Sequence, residues 1–261
     1  LRIVVCTKET PDTAAQFEVD ADGSVTWGDA PLGINPWDEY AVEEALRLKE
    51  RGAGACTALA LGGEATLDAL KHALAMGVDD AVLIRDEVFK DADTLVTSRA
   101  LSRAIQKFDD VRLALFGKLT TDGASGQTAV QVGRRLGWNT LTYVSKIVEI
   151  DFDAGTITVE RLLEDGRQVV ESTLPAVVSV LKEINVPRYT SFMGIRKAAR
   201  AEIPTWSAAD IGVDGSVAPK VVWRAVSALP PREGACEMIE AKSPQEAAIK
   251  LVDRLIAEKV V

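Results

Sequence analysis

A chain of 261 residues, 47% hydrophobic and 26% charged, can bury a sizeable core and has the balance of an ordinary globular protein, which excludes disordered and collagen-like classes. A net charge of −9 argues against nucleic acid as a partner, because phosphate-backbone binding depends on clustered Lys and Arg. Cys6, Cys56 and Cys236 are too scattered for a disulfide framework or a CxxC metal centre, and His72 alone is little material for a Ser-His-Asp device.

Leu1–Cys6 reads as a first strand, and the following Thr7, Lys8 and Glu9 lack the order of a secretory signal. No apolar run approaches the roughly 20 residues needed to cross a bilayer, so an interior compartment is expected. A start at Leu1 suggests a missing initiator methionine; a bacterial cytoplasm is preferred to a mitochondrial matrix. Phe17–Trp27 alternates around Asp22-Gly23 as an excursion hairpin would. Asn35 is then placed to cap a helix, with Pro36 at its first position and Asp38 in its positive first turn. Trp37, Ala41, Ala45 and Leu48 form one predicted buried stripe that ends near Gly52.

Strands are predicted at Cys56–Leu61, Ala81–Arg85 and Val111–Gly117, with helices at Thr66–Met76 and Ala92–Phe108 between them. Cys6 and Cys56 fall in strand-like runs, where core packing is the simpler reading, and His72 falls in a helix, with a structural or surface role. Strands apolar on both faces need helices on both sides, so the fold class is α/β with a doubly wound, mostly parallel sheet. After Trp138 the pattern changes. Ile147–Phe152, Thr156–Leu163 and Gln168–Ser172, separated by Asp153-Ala154-Gly155 and Glu164-Asp165-Gly166, read as an antiparallel segment, and Pro175–Leu181 as a return to the main sheet. Asn185 to Pro204 reads as basic and irregular. Beyond Ile211 there is little periodicity until Ser243-Pro244-Gln245-Glu246 caps a last helix with Ala248, Leu251, Val252 and Leu255 apolar. The expected division is a nucleotide-binding domain over 1–212 and a C-terminal docking extension over 213–261.

The segment most informative about chemistry joins the Val111–Gly117 strand to a helix near Ala129: Gly117, Lys118, then Asp122, Gly123, Ala124, Ser125, Gly126, Gln127 and Thr128. In a doubly wound sheet ligands bind beyond the carboxyl ends of the strands. Small residues there let backbone amides approach an anion at a helix N-terminus, which carries about half a positive charge. A loop that merely caps the helix would have the same composition. Neither GxxxxGK[ST] nor a GxGxxG after the first strand is present, and no paired carboxylate, metal-ligand cluster or activated nucleophile stands at a strand end. Binding without catalysis is the reading that remains, and no metal site is expected.

The run Asn35 to Leu46, the Ala73–Gly77 helix end, the Gly117–Thr128 loop, Arg161–Ser179 and Val186-Pro187-Arg188-Tyr189 together resemble the β subunits of electron-transfer flavoproteins in order and spacing. The resemblance implies a Rossmann-like domain of the adenine nucleotide α-hydrolase type that holds one AMP. It implies a heterodimer with an α subunit carrying most of the FAD site, and no enzymatic activity of its own. Adenine and ribose contacts would fall on Cys6, on Asn35, Pro36, Trp37 and Asp38, and on Leu61; phosphate contacts on Gly123–Thr128. Trp37 matches an aromatic turned toward the flavin, whereas a second family aromatic aligns with Thr13, a departure. The stretch 180–202 would be a recognition loop for flavin dehydrogenases such as acyl-CoA dehydrogenases, with Phe192 at an anchoring position. Arg188, Tyr189, Met193, Ile195, Arg196 and Lys197 would lie around it, and electrons would pass on to a membrane quinone oxidoreductase. Three alternatives stay open: a bifurcating flavoprotein with a second FAD in this chain, a universal-stress-type nucleotide-binding regulator, and an ATP pyrophosphatase.

Overall fold

The computed structural model describes residues 1–20, 23–214, 218–221, 224–228, 230 and 236–260. They form two compact units, Leu1–Val226 and Ser227–Val261. In chain order the strands of the first unit are β1 (Arg2–Cys6), β2 (Glu9–Pro11), β3 (Glu18–Val19), β4 (Val25–Thr26), β5 (Leu32–Ile34), β6 (Ala55–Leu61), β7 (Asp80–Ile84), β8 (Val111–Gly117), β9 (Asn139–Asp151), β10 (Thr156–Leu163), β11 (Gly166–Thr173), β12 (Ala176–Val180) and β13 (Thr205–Trp206). Its helices are α1 (Pro36–Leu48), α2 (Thr66–Met76), α3 (Thr94–Ile105), α4 (Thr128–Leu136) and α5 (Phe192–Ala198).

Nine of these strands make one sheet in the order β11-β10-β9-β12-β8-β1-β6-β7-β13. From β9 to β13 neighbours pair parallel, whereas β9, β10 and β11 pair antiparallel. The period of two explains the two-sided core. Ile3, Val5, Leu113, Leu115 and Val178 cluster with Ala41, Ala45 and Leu70 of α1 and α2. Their neighbours Val4, Ala114, Phe116 and Val177 cluster with Val96, Ala100, Ala129 and Val132 of α3 and α4. The doubly wound α/β fold expected from strand and helix alternation is the fold observed, and β12 returns to the main sheet between β8 and β9.

Several local expectations need correction. Ala41, Ala45 and Leu48 are buried, but Trp37 is only half-buried and does not belong to the core stripe. β9 begins at Asn139 rather than Ile147, because its first half pairs with β12 while exposing alternate polar residues that carry no apolar run. The stretch after Asn185 is not irregular throughout. It contains α5, whose Ser191 side chain accepts a hydrogen bond from the Gly194 amide at 2.9 Å. A helix of 7 residues is too short to show a stripe in sequence. The predicted hairpin is formed by β3 and β4; Asp22 of its turn lies outside the described residues.

The second unit carries α6 (Pro244–Ala257). The Ser243 side chain accepts from the Glu246 amide at 3.2 Å, as the capping pattern predicts, and the Glu246 carboxylate accepts from the Lys242 amide at 3.0 Å. Ile249, Leu251, Val252 and Ile256 of this helix are exposed.

Candidate functional site

From β1 the chain moves to β6 and β7 on one side, then returns to β8 on the other. Such a reversal of strand order opens a crevice beyond the carboxyl ends of the two central strands. A cleft of about 720 Å³ lies there, and Cys6, Asp38, Leu61, Gly117, Lys118, Gly123, Ser125, Gly126 and Thr128 are on its wall. Asn35, Pro36, Trp37, Asp122, Ala124 and Gln127 are not on that wall.

Asn35 shows why. Its side chain makes no cap hydrogen bond to α1, contrary to the expectation. It is fully buried; its Nδ2 donates to the Leu119 carbonyl at 2.8 Å and its Oδ1 accepts from the Thr121 amide at 3.2 Å. Asp38 acts in the same way, accepting from the Lys8 amide at 2.9 Å and the Gly117 amide at 3.2 Å. The start of α1 therefore brackets the ends of β1 and β8. Gly117 is obligatory in this bracket, since a Cβ there would sit 2.5 Å from Asp38 Oδ1 and 2.6 Å from the Trp37 carbonyl carbon. Burial pushes the Asp38 carboxyl up to about 7, against the lowering effect of hydrogen bonds from Asn35, Lys8 and Gly117. Burial, with the nearby Asp38 charge, also raises the Cys6 thiol well above its ordinary value, so Cys6 is an apolar wall element.

The loop after β8 turns twice through left-handed backbone before α4. Ala124 and Gly126 take φ of 48° and 61°, and the Ala124 amide donates to the Thr120 carbonyl at 2.8 Å. α4 then begins at Thr128 with no side-chain cap, leaving first-turn amides available to a ligand. Lys8 Nζ pairs with Asp122 beside the loop. Burial works to raise the Asp122 carboxyl, but hydrogen bonds from Lys8 and Thr120 and the Lys8 charge hold it below the usual range.

At the rim, Lys118 Nζ lies 5.6 Å from the Trp37 ring centre and 5.4 Å from that of Tyr143. Tyr143 has φ 58°, unusual for a bulky residue, where the register of β9 shifts against both neighbours. Arg161 pins this bulge, donating from Nε to the Thr142 carbonyl at 2.7 Å and from Nη2 to Thr142 Oγ1 at 3.1 Å.

The residues predicted to meet a partner separate in the structure. Tyr189 and Phe192 are 99% and 79% exposed, and Met193 and Ile195 are exposed beside them. Arg196 and Lys197 line a shallow basic depression with Met193 and Arg200. Arg188 instead turns inward, pairing with Glu43 at 2.7 Å and Glu50 at 2.6 Å, and these two hydrogen-bonded carboxylates raise its pKa.

The electron transfer flavoprotein domain family matches residues 28–211. The chain belongs to the electron transfer flavoprotein family. It is 40% identical over 215 residues to an electron transfer flavoprotein subunit beta of Clostridium acetobutylicum, covering 82% of this chain and 81% of that protein. It is 36% identical over 259 residues to protein FixA of Azotobacter vinelandii, covering 94% and 92%. It is 35% identical over 268 residues to the caffeyl-CoA reductase-Etf complex subunit CarD of Acetobacterium woodii, covering 100% of each. The chain is thus a β-type electron-transfer subunit of a flavoprotein family, a carrier and not an enzyme. Among its described residues no helix is long and apolar enough to cross a membrane.

Sequence reasoning missed several wall residues of this flavoprotein subunit. Thr7 is buried with no hydrogen-bond partner for its hydroxyl, and nothing in a strand-end threonine announces that. Asp93, Thr94 and Thr97 enter the wall from the start of α3. Asp93 accepts from the Val96 amide at 2.9 Å, and also from the Lys220 amide at 2.6 Å and the Val221 amide at 3.1 Å, which brings Val221 to the cleft. An Asp before an apolar helical run was a visible cap signal; its second set of bonds was not.

Proposed function

We propose that this subunit holds AMP in the cleft between the ends of β1 and β8 and works in a heterodimer whose α subunit carries most of the FAD site. The observation behind this reading is the uncapped start of α4, preceded by Gly126 in left-handed conformation and opening on the cleft. Aligned free amides attract phosphate, which lets a chain of net charge −9 bind an anion. Gly123, Ser125, Gly126 and Thr128 would hold the phosphate, while Cys6, Thr7 and Leu61 would pack on the nucleoside. Asp38 and Gly117 on the wall, with Asn35 behind them, would hold the ends of β1 and β8 in place around the ligand. Bound flavin supplies the redox chemistry. This chain supplies a Lys118 charge beside the rings of Trp37 and Tyr143.

The exposed face of α5, apolar with a basic rim, is the docking surface for flavin dehydrogenases such as acyl-CoA dehydrogenases. CarD, named for a caffeyl-CoA reductase complex, extends the partner class to other CoA-ester redox enzymes. The part of the 213–261 extension that forms the second unit, Ser227–Val261, with the apolar residues of α6, docks on the α subunit, and electrons leave to a membrane quinone oxidoreductase facing a bacterial cytoplasm. Truncation at Ser243 is expected to prevent heterodimer formation; recovery of an intact heterodimer would count against that docking role. Phe192→Ala is expected to raise the apparent KM for the carrier by an amount equivalent to about 2 kcal/mol, with the flavin spectrum unchanged.

A second reading places a second FAD, rather than AMP, in the cleft. It is favoured by the extension of the wall past the phosphate loop to Thr94 and Thr97, which leaves room for the rest of a dinucleotide. The deciding experiment is purification of the native heterodimer, its absorption spectrum and mass spectrometry of released nucleotides. One FAD and one AMP support the first reading, two FAD select the second, and a cleft that releases no nucleotide refutes both.

A further inference from the structure

The apolar residues of α5 stand on a short segment that would be free to wander if only local bonds held it. It is fixed instead at both ends. On the carboxyl side, Gly194 lies so close to α2 that a Cβ would come within 2.3 Å of the Ala75 carbonyl. On the amino side, Asn185 Nδ2 donates to the Tyr40 carbonyl at 3.0 Å and to Glu44 Oε2 at 3.1 Å. Arg188 then meets Glu43 three times: its amide donates to Oε2 at 3.2 Å, Nε to Oε2 at 2.7 Å, and Nη2 to Oε1 at 3.2 Å. A fourth bond runs from Arg188 Nη1 to Glu50 at 2.6 Å, and Arg47 Nε completes Glu43 at 3.0 Å.

The Glu43 side chain is 4% exposed, while Glu50 is 59% exposed. Glu43 is therefore the inner jaw of this contact. A planar guanidinium held on a carboxylate by parallel bonds has a fixed orientation, which a lysine ammonium could not reproduce. Tyr189 follows Arg188 directly, so the bond from the Arg188 amide to Glu43 anchors the main chain from which the exposed ring projects. All four carboxylates concerned with the cleft bracket and the docking segment, Asp38, Glu43, Glu44 and Glu50, lie on or just after α1.

We infer that Glu43 is a positioning residue for electron-partner recognition: through Arg188 it pre-orders the Tyr189–Ile195 segment in the conformation a partner binds. The inference rests on the docking role proposed for α5. Pre-ordering removes the cost of immobilising side chains at the moment of binding, an effect of about tenfold in affinity, equivalent to about 1.4 kcal/mol. Charge at Glu43 matters because burial raises its carboxyl while the Arg188 and Arg47 hydrogen bonds more than offset that and hold it ionised.

The test uses the complete flavin-loaded heterodimer with its native electron-donating dehydrogenase, varying carrier concentration. Glu43→Gln is expected to raise the apparent KM about tenfold with kcat within about twofold. Flavin spectrum and nucleotide content should not change, and trypsin should cut faster after Arg196 and Lys197. Glu50→Gln, at an exposed position that cannot threaten folding, is expected to give a smaller rise in the same direction. Phe192→Ala is measured beside them. If Phe192→Ala raises KM but both glutamate variants leave KM and cleavage rate unchanged, the positioning role is overturned. If Phe192→Ala leaves KM unchanged, the docking reading itself falls, whatever the clamp does to the cleavage rate.

Discussion

A helix cap and a loop staple predict opposite results for Asn35→Ser. Serine is as good an N-cap as asparagine, so a capping role would make the change nearly neutral. In the structure Asn35 instead reaches across to the β8 loop, donating to Leu119 at 2.8 Å and accepting from Thr121 at 3.2 Å. Serine is too short to replace either bond. With each neutral bond worth about 1 kcal/mol net, and the Leu119 carbonyl left only partly accessible to water, the expected loss is about 2 kcal/mol. Urea unfolding of the purified protein, followed by tryptophan fluorescence, measures it as a lower midpoint at unchanged slope. Nucleotide retention should fall in parallel, because Thr121 and its neighbours lead into the phosphate loop. A midpoint equivalent to within about 0.5 kcal/mol of wild type, with nucleotide retained, would restore the capping role and refute the bracket.

Gly126→Glu should abolish nucleotide retention, since its φ of 61° strains any side chain and the new carboxylate would compete for the α4 amides; nucleotide released on denaturation measures it. Thr128→Ala should be milder, on the order of 1 kcal/mol, by the same assay. Asp38 keeps its proton in the folded state up to about 7, whereas in the unfolded chain it ionises in the ordinary carboxylate range. The folded state thus binds more protons between about pH 4 and 7, and stability falls as pH rises through that window, by up to roughly 1.4 kcal/mol per pH unit. Asp38→Asn should flatten that slope in urea midpoints taken from pH 5 to 8; the raised Glu44 acts with the same sign and remains in both proteins. An identical slope in the variant would show that Asp38 is ionised throughout. Thr7→Val should leave thermal stability unchanged or higher without ligand, because the buried hydroxyl has no partner. It should weaken nucleotide binding measured by calorimetry, and unaltered affinity would remove Thr7 from the site.

Much of the fold was legible because its causes are local. α2, β8 and β10 have the bounds that periodicity and turn residues predicted, Thr66–Met76, Val111–Gly117 and Thr156–Leu163. The same applies to the Gly117–Thr128 loop, whose small residues mark a turn between β8 and the helix α4 that follows it. α5 was missed because a helix held by one serine cap and a glycine contact with a distant carbonyl carries no stripe.

By itself the sequence determined most of the strands and helices of the main sheet and that both faces of its central strands are covered. These follow from periods of 2.0 and 3.6 and from the conformational limits of Gly and Pro, all of which act within a few residues. Only the tertiary structure decided what Asn35, Thr7 and Arg188 do. Asn35 meets Leu119 across 84 positions and Arg188 meets Glu43 across 145. A polar side chain takes its role from the partner that folding brings within 3 Å or so, and no local pattern encodes a partner that far away in the chain.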